Sequence, residues 1–529
     1  MASIPGSRMV QDKELAKAVA AIPQRSEKQS DTQKLVEAFV DPGILPQIEN
    51  INSQIIYGRR GTGKTHVLKV LESSLKVNNK ICTIYLDART FGSTSQFADV
   101  NIPLPSRCTS LFRDLLGEVY NGLLDFVVNL GGPDVDKALE EISRLGTVTT
   151  EPVASIRQES ATDKQTAKTS SKGEVEAKFA ASAASVSGGV SREQAREQEA
   201  GSTYRFEYSD KVVFPSVSSS IKTVLSLYDA QLFVLLDEWS SLPLDVQPYL
   251  AEFIKRSFLP LANVSIKIGS LEYRSDFGVN TPNGVIGFEM GADISAFLDI
   301  DDYYVYDRNP AGITDAFANI LVRHLSNELP HGYMAALGID TGSKLASRLF
   351  TERKVFQELV RASEGVARDL INIFSKAYFV AHRKNRQKIE RDAVLEAARQ
   401  WFEQDKERNL SEGLRAVLRK ITDEVIGSRK ARSFLLPREL ATHSTIQQLF
   451  DLRVLHLVQR GYADKDKPGV RYNIYALDYG TYVDLMNTSR KPEIGFEELA
   501  EIDEKEYLVP FDDKRSIRRI ILTRAILEQ

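Results

Sequence analysis

The octapeptide Gly58-Arg59-Arg60-Gly61-Thr62-Gly63-Lys64-Thr65 constrains the fold more than any other stretch, because it completes the GxxxxGK[ST] pattern of a phosphate-cradling loop. Its glycines let backbone N–H groups turn inward around an anion, and the start of the following helix adds a favourable dipole. The flanks suit that geometry. Ile55-Ile56-Tyr57 reads as the end of a buried strand, and His66-Val67-Leu68-Lys69-Val70-Leu71 opens a helix with Val67, Val70 and Leu71 on one face. In such a loop Gly58 to His66 wrap the phosphates, Lys64 reaches the β- and γ-phosphates, and the Thr65 hydroxyl holds Mg²⁺. ATP and Mg²⁺ are therefore the expected ligands.

A chain of 529 residues exceeds one compact core and predicts three or four domains. A formal charge of −4 provides no global attraction to nucleic acid, so any such contact must come from local patches. Cys82 and Cys108 lie in no metal-ligand spacing and form no disulfide framework, and the six histidines are scattered. A structural metal site is not expected. With no run of about 18 apolar residues and no signal-peptide core, a cytoplasmic protein without a membrane partner is expected.

Composition divides the chain. Residues 1–39 form a polar N-terminal segment, followed by a nucleotide-binding domain over 40–310. Within it, Ile81 to Asp87 reads as a second buried strand, and Thr109–Leu130 and Asp134–Leu145 read as helices. An insertion over 146–212 is rich in Ser, Ala, Lys, Glu and Gln. It reads either as a disordered segment or as a hairpin arm, since Val175, Ala177 and Phe179, and later Tyr204, Phe206 and Tyr208, alternate with charged residues. Apolar strand runs separated by helices then argue for a parallel sheet covered on both faces. Residues 311–410 are helical throughout. Over 411–490 a helix from Ser444 to Arg460, ending at Gly461, precedes a hairpin around Asp464 to Gly469, the pattern of a winged helix. Residues 491–529 form a C-terminal extension.

Phe233-Val234-Leu235-Leu236-Asp237-Glu238 is the second chemical element. Four apolar residues bury the strand and bring two carboxylates to its C-terminal end. Asp237 would orient Mg²⁺, and Glu238 would polarise the attacking water as general base. Ser270, ending the next strand, either hydrogen-bonds the γ-phosphate or closes an ST-turn. Arg368, one turn into a helix opened by Gly365, either reaches the γ-phosphate or pairs with a nearby acid at the surface.

With these elements in order the chain resembles the AAA+ ATPases, and most closely the initiator clade of origin-recognition-complex-like proteins. The resemblance spans about residues 40–145 and 210–485. It implies an α/β fold with a P-loop AAA+ parallel-sheet core, an α-helical lid and a C-terminal winged-helix domain. It also assigns Gly58–Thr65 as Walker A, Asp237-Glu238 as Walker B, Ser270 as sensor 1 and Arg368 as sensor 2. Two departures stand out. The family often carries Asn where this chain has Gly269-Ser270, and Arg274 is the only near candidate for an arginine finger, since 275–293 contains no Lys or Arg. A slow ATPase fits as well as a motor.

For DNA, residues 434–484 carry six Lys/Arg and six Asp/Glu, so the winged region is not a basic module. Lys465 and Lys467 lie at the wing tip, and two more basic clusters occur, one with Arg383, Lys384 and Arg386 and one with Arg429 and Lys430. Each also reads as a solvated helix end or linker. The expectation is a switch coupling ATP to duplex DNA or DNA-bound partners, as a homo-oligomer or within a complex. The alternative is a signalling or scaffold ATPase, for example in phage defence or mobile-element biology, whose winged helix and insertion make protein contacts.

Overall fold

The computed structural model describes residues 9–29, 31–92, 95–150, 153–159, 196–199, 202–209, 212–282, 284–428, 431–464, 468–481, 483 and 520–527. Helices α1 (Lys13–Ala21), α2 (Thr32–Ala38) and α3 (Leu45–Ile48) lead into strand β1 (Gln54–Tyr57), helix α4 (Lys64–Leu75) and strand β2 (Ile81–Asp87). Helices α5 (Leu104–Leu130) and α6 (Val135–Thr150) precede strands β3 (Val153–Glu159), β4 (Arg196–Glu199) and β5 (Ser202–Ser209), which pair antiparallel in the order β3-β5-β4. The helix read as ending at Leu145 thus runs on to Thr150 and the insertion starts later, because Gly146 packs against the Tyr120 ring of α5 rather than breaking the helix.

Helix α7 (Phe214–Leu227), strand β6 (Gln231–Asp237), helix α8 (Gln247–Phe258) and strand β7 (Val264–Ser270) complete the nucleotide domain, with a hairpin β8 (Gly278–Thr281) and β9 (Gly284–Gly287) before β10 (Ser295–Asp299). The central sheet is parallel, ordered β10-β1-β7-β6-β2. Apolar residues occur at both parities along β6 because both faces are buried. Phe233 and Leu235 join Val67 and Leu68 of α4 in one core, while Leu232, Val234 and Leu236 join α5, α7 and α8 in the other. That order sets the C-terminal ends of β1, β6 and β7 side by side, where a ligand site forms in an open α/β sheet.

The lid comprises α9 (Pro310–Glu328), α10 (Tyr333–Ala336), α11 (Gly342–Leu349), α12 (Arg353–Ala362), α13 (Ala367–Arg383) and α14 (Arg391–Trp401). Its core around Phe317, Leu321, Phe350, Phe374 and Tyr378 is continuous with Val10, Leu15, Val19 and Leu35. The N-terminal residues therefore pack as part of the lid, and Asp12 both caps α1 and accepts from the Tyr333 hydroxyl.

Helix α15 (Glu412–Thr422), strand β11 (Ser433–Pro437), helix α16 (Ser444–Asp451) and strands β12 (Leu455–Ala463) and β13 (Arg471–Leu477) build the winged helix, with sheet order β11-β13-β12. The helix read as Ser444–Arg460 stops at Asp451. Arg453 takes a left-handed backbone (φ 61°), Val454 N–H closes onto the Leu449 carbonyl, and Leu455 begins pairing with Leu477. Gly461, read as the helix stop, sits where the β12–β13 register shifts (φ 64°). Ile520, Leu522 and Leu527 enter the winged-helix core, and Leu435 and Leu522 bond the two segments through backbone.

A buried pair ties this domain to the lid. Arg432 donates to both Glu364 oxygens, and both side chains are almost wholly buried. We expect Arg432→Met to strand a buried carboxylate and cost about 3–5 kcal/mol, and the double variant with Glu364→Gln to recover much of it. Denaturant unfolding followed by circular dichroism checks both.

Candidate nucleotide-binding site

A cavity of about 690 Å³ opens between the sheet and the lid, lined by Arg60, Gly61, Lys64, Thr65, Glu238 and Arg368 among others. The loop after β1 shapes one wall. Gly61 takes φ 89°, and a Cβ there would stand 2.7 Å from Cβ of Arg368, so glycine is what lets α13 seat on the loop. Arg368 N–H donates to the Gly61 carbonyl at 3.1 Å. The Arg368 guanidinium forms no ion pair with a described residue, and burial lowers its pKa.

Lys64 is buried and its Nζ donates to the Gly58 carbonyl at 2.6 Å and the Arg59 carbonyl at 3.1 Å. Burial pulls its pKa down, opposed by Asp237 and Glu238. Thr65 Oγ1 donates to Asp237 Oδ2 at 2.6 Å, and the Tyr85 hydroxyl donates to the same oxygen at 2.9 Å. Asp237 is fully buried, and Glu238 N–H caps its other oxygen at 2.8 Å. Glu238 itself adopts φ 56°, an unfavourable backbone for a non-glycine residue, which re-aims its side chain at the cavity. Its pKa is raised by burial and then by the Asp237 charge. A hydroxyl and a carboxylate converging at 2.6 Å are hard oxygen donors suited to Mg²⁺, so the residues fit that ion.

Other members of the loop do different work. Thr62 Oγ1 donates to the Arg59 carbonyl at 2.9 Å, holding the turn. His66 lines the cavity, while its Nε2 lies 2.6 Å from the Leu35 carbonyl and its ring meets Phe39 edge-on, which attaches α2 to α4. Arg59 turns its side chain away from the cavity. Its Nε donates to Asp301 at 3.0 Å and its NH1 to His456 Nδ1 at 2.5 Å, with the guanidinium 5.2 Å from the Phe450 ring centre.

Ser270 is fully buried, bonds Ser275 through its hydroxyl, and does not line the cavity. Gly269 precedes it because a Cβ there would lie 2.8 Å from Asp237 Oδ1. Arg274 donates to Asp451 of the winged helix at 2.6 Å. Lys384 pairs with Asp392 and Glu396, and Arg386 with Glu390 and Asp392, so these two cations are neutralised within the lid, whereas Arg383 is exposed. Arg429, Lys430, Lys465 and Lys467 lie outside the described residues.

The winged helix closes one side of the cavity through Asp451, Leu452 and Arg453, whose place in the site no local sequence pattern announces. Behind them runs a buried ionic chain. His456 Nε2 donates to Asp478 at 2.9 Å, Lys406 joins Asp478 (2.5 Å) to Asp369 (3.0 Å), and Arg453 binds Asp369 and Asp405. With Nδ1 accepting from Arg59 and Nε2 donating, the partners of His456 dictate a neutral imidazole.

Sheet order, phosphate loop, paired acids, helical lid and winged helix together define a P-loop AAA+ architecture. The chain is similar to the ORC-CDC6-like family, whose model matches residues 23–82, from before α2 to the start of β2. No curated protein matches the chain. Among solved structures, Cdc6p from Pyrobaculum aerophilum is 12% identical with a TM-score of 0.32, covering 89% of this chain and 97% of its own. ORC2 of Aeropyrum pernix in ADPNP–ADP complexes is 11% identical (TM-score 0.32; 90% and 97% covered). Drosophila ORC bound to DNA is 12% identical (TM-score 0.28; 91% and 93%). The chemistry assigned to the site rests on its own geometry.

Burial and the Arg59 charge hold the pKa of His456 down to about 3, and burial beside His66 holds that of His324 down to about 4, against 6.5 ordinarily. At these two sites the unfolded chain binds more protons than the folded one below pH 6.5, so their contribution to stability is full above that pH and is lost as it falls, whereas Asp299 and Glu364, each pushed up to about 7 chiefly by burial, contribute in the opposite sense. We expect His456→Gln to lose less stability, or gain more, than wild type on going from pH 7 to 5, a difference of up to about 1.4 kcal/mol per pH unit below 6.5. Calorimetry across that range checks this.

Proposed function

We propose that the chain is an ATP-binding and slowly hydrolysing switch. The observation that carries this reading is the contact of Thr65 with Asp237 beside the cavity-facing pair Lys64 and Glu238. The loop amides and Lys64 hold the β- and γ-phosphates, for which Lys64 exchanges its two carbonyl acceptors. Thr65 and Asp237 would hold Mg²⁺ with the nucleotide, where the ion would supply neutralisation of phosphate charge. Water adds to the γ-phosphorus as the bond to the β–γ bridging oxygen breaks, Glu238 takes the water's proton, and ADP and phosphate leave. The burial that raises the pKa of Glu238 makes it a better base than an exposed carboxylate. Arg368 meets the γ-phosphate from the lid and makes closure depend on nucleotide.

Slow turnover is supported by the segment after β7. The candidate arginine finger Arg274 lies in the turn Glu272–Arg274 that precedes the β8–β9 hairpin, and it is engaged with Asp451. Duplex DNA is the proposed output partner, supported by the winged helix and the family match over residues 23–82. A second output, docking of partner proteins in signalling or scaffolding, is favoured by the pairing of Lys384 and Arg386 with lid carboxylates, which leaves them little charge for phosphates.

Lys64→Ala should abolish ATP binding in titration calorimetry. Glu238→Gln should keep binding but lower turnover by about 10²–10⁴-fold. Equal phosphate release by wild type and Glu238→Gln would remove the assigned base. Fluorescence anisotropy with a labelled duplex, with and without ATP, should show affinity that falls steeply with salt. Absence of binding at roughly 50 mM salt leaves the protein-docking output.

A further inference from the structure

The side of the nucleotide cavity nearest the loop cations is occupied by an acid from another domain. Asp451 ends α16, where the helix dipole disfavours a negative charge, so its own helix does not account for it. Its carboxylate is 6% exposed and receives Arg274 at 2.6 Å. Asp451 lines the same cavity as Arg60 and Lys64, and those cations together with Arg274 oppose the rise in its pKa that burial causes. Phe450, the preceding residue, is gripped between the Arg59 guanidinium and the Tyr273 ring, each 5.2 Å away. The end of α16 is thus seated on the phosphate loop and on the segment after β7 by one carboxylate and one ring.

We propose that Asp451 is an internal anion that competes with the γ-phosphate of ATP for Arg60 and Lys64, which line the same cavity, so that ATP loosens the winged helix from the nucleotide domain. This rests on the ATP-site reading. Two anions sharing one cation cluster repel each other, and an arriving triphosphate carries more charge than a single carboxylate. Asp451 is then repelled from the cavity wall, and the seat of α16 loses its ion pair with Arg274. Linkage makes the effect reciprocal: a loosened winged helix binds ATP more tightly. ADP, lacking the γ-phosphate, competes less. Other ties of the domain, among them Arg460 to Glu272 and Asp299, Arg453 to Asp369, Arg432 to Glu364 and His456 to Arg59, hold it as α16 lifts.

The test uses the full chain, with ATP–Mg²⁺ and ADP–Mg²⁺ as probes. Hydrogen exchange of amides in 446–457 should rise on adding ATP–Mg²⁺ to Glu238→Gln, which holds ATP unhydrolysed, and rise less with ADP–Mg²⁺. Asp451→Asn keeps the side-chain shape. It should bind ATP about tenfold more tightly than wild type and exchange faster over the same amides without nucleotide. Arg274→Ala should also loosen α16 without nucleotide, a readout independent of ATP. If ATP binds but Asp451→Asn shows wild-type affinity, or ATP leaves 446–457 unchanged, the competition is refuted while the ATP site stands. No ATP binding by wild type overturns both.

Discussion

The contact between Arg59 and His456 is the constraint on which the rest of the arrangement depends. Arg59 belongs to the phosphate loop and His456 to the winged helix, and 397 residues separate them. Once the imidazole accepts from Arg59 it must donate to Asp478, which in turn holds Lys406, and Lys406 holds Asp369 beside Arg368. A displacement of the loop is therefore felt at the lid helix and in the wing through charged groups with nowhere else to go. Each of these groups carries a desolvation cost that only its neighbours offset, which makes the chain intolerant of partial breakage. A pair of apolar side chains in the same positions would stabilise the contact and carry no information about charge.

The chemistry at the end of β6 was legible in the sequence because it is local in kind. A glycine-rich loop after an apolar strand, and two acids after another, report their geometry through spacing. The 172 residues between Thr65 and Asp237 do not obscure it, since a parallel sheet ordered β10-β1-β7-β6-β2 sets the strand ends together whatever lies between. Arg59 was legible only in part. Its backbone belongs to the loop pattern, but its side chain answers to Asp301 and His456, partners no local spacing announces.

The winged helix was legible as a module and misjudged in its middle. Leu449, Phe450, Leu452, Leu455 and Val458 fit a helical stripe, and nothing in their spacing marks a break. The break is made by tertiary demand. Arg453 is buried and bound to Asp369 and Asp405, and that engagement holds its backbone left-handed and turns the chain into β12. Local propensity yielded to an ion network assembled from three domains. Arg274, the finger candidate, is drawn to Asp451 of the winged helix, and Ser270 bonds Ser275 within its own domain.

These departures share a direction. Arg59 and Arg274, whose side chains do not line the cavity, engage the winged helix instead, and they do so through charge. A domain held at the catalytic cleft by apolar packing alone would respond to a nucleotide only through shape. Held by Asp451, His456 and Arg453, it would feel the field of an arriving polyanion, because Asp451 and Arg453 line the cavity that the proposed ligand would enter. The long range of that field in a buried setting lets a small ligand act on a domain it need not touch. The same burial restricts the response to ligands that enter the cavity, since exposed charges outside it are screened over about 8–10 Å. A cleft walled by the output domain thus needs no separate transmission path between sensing and response.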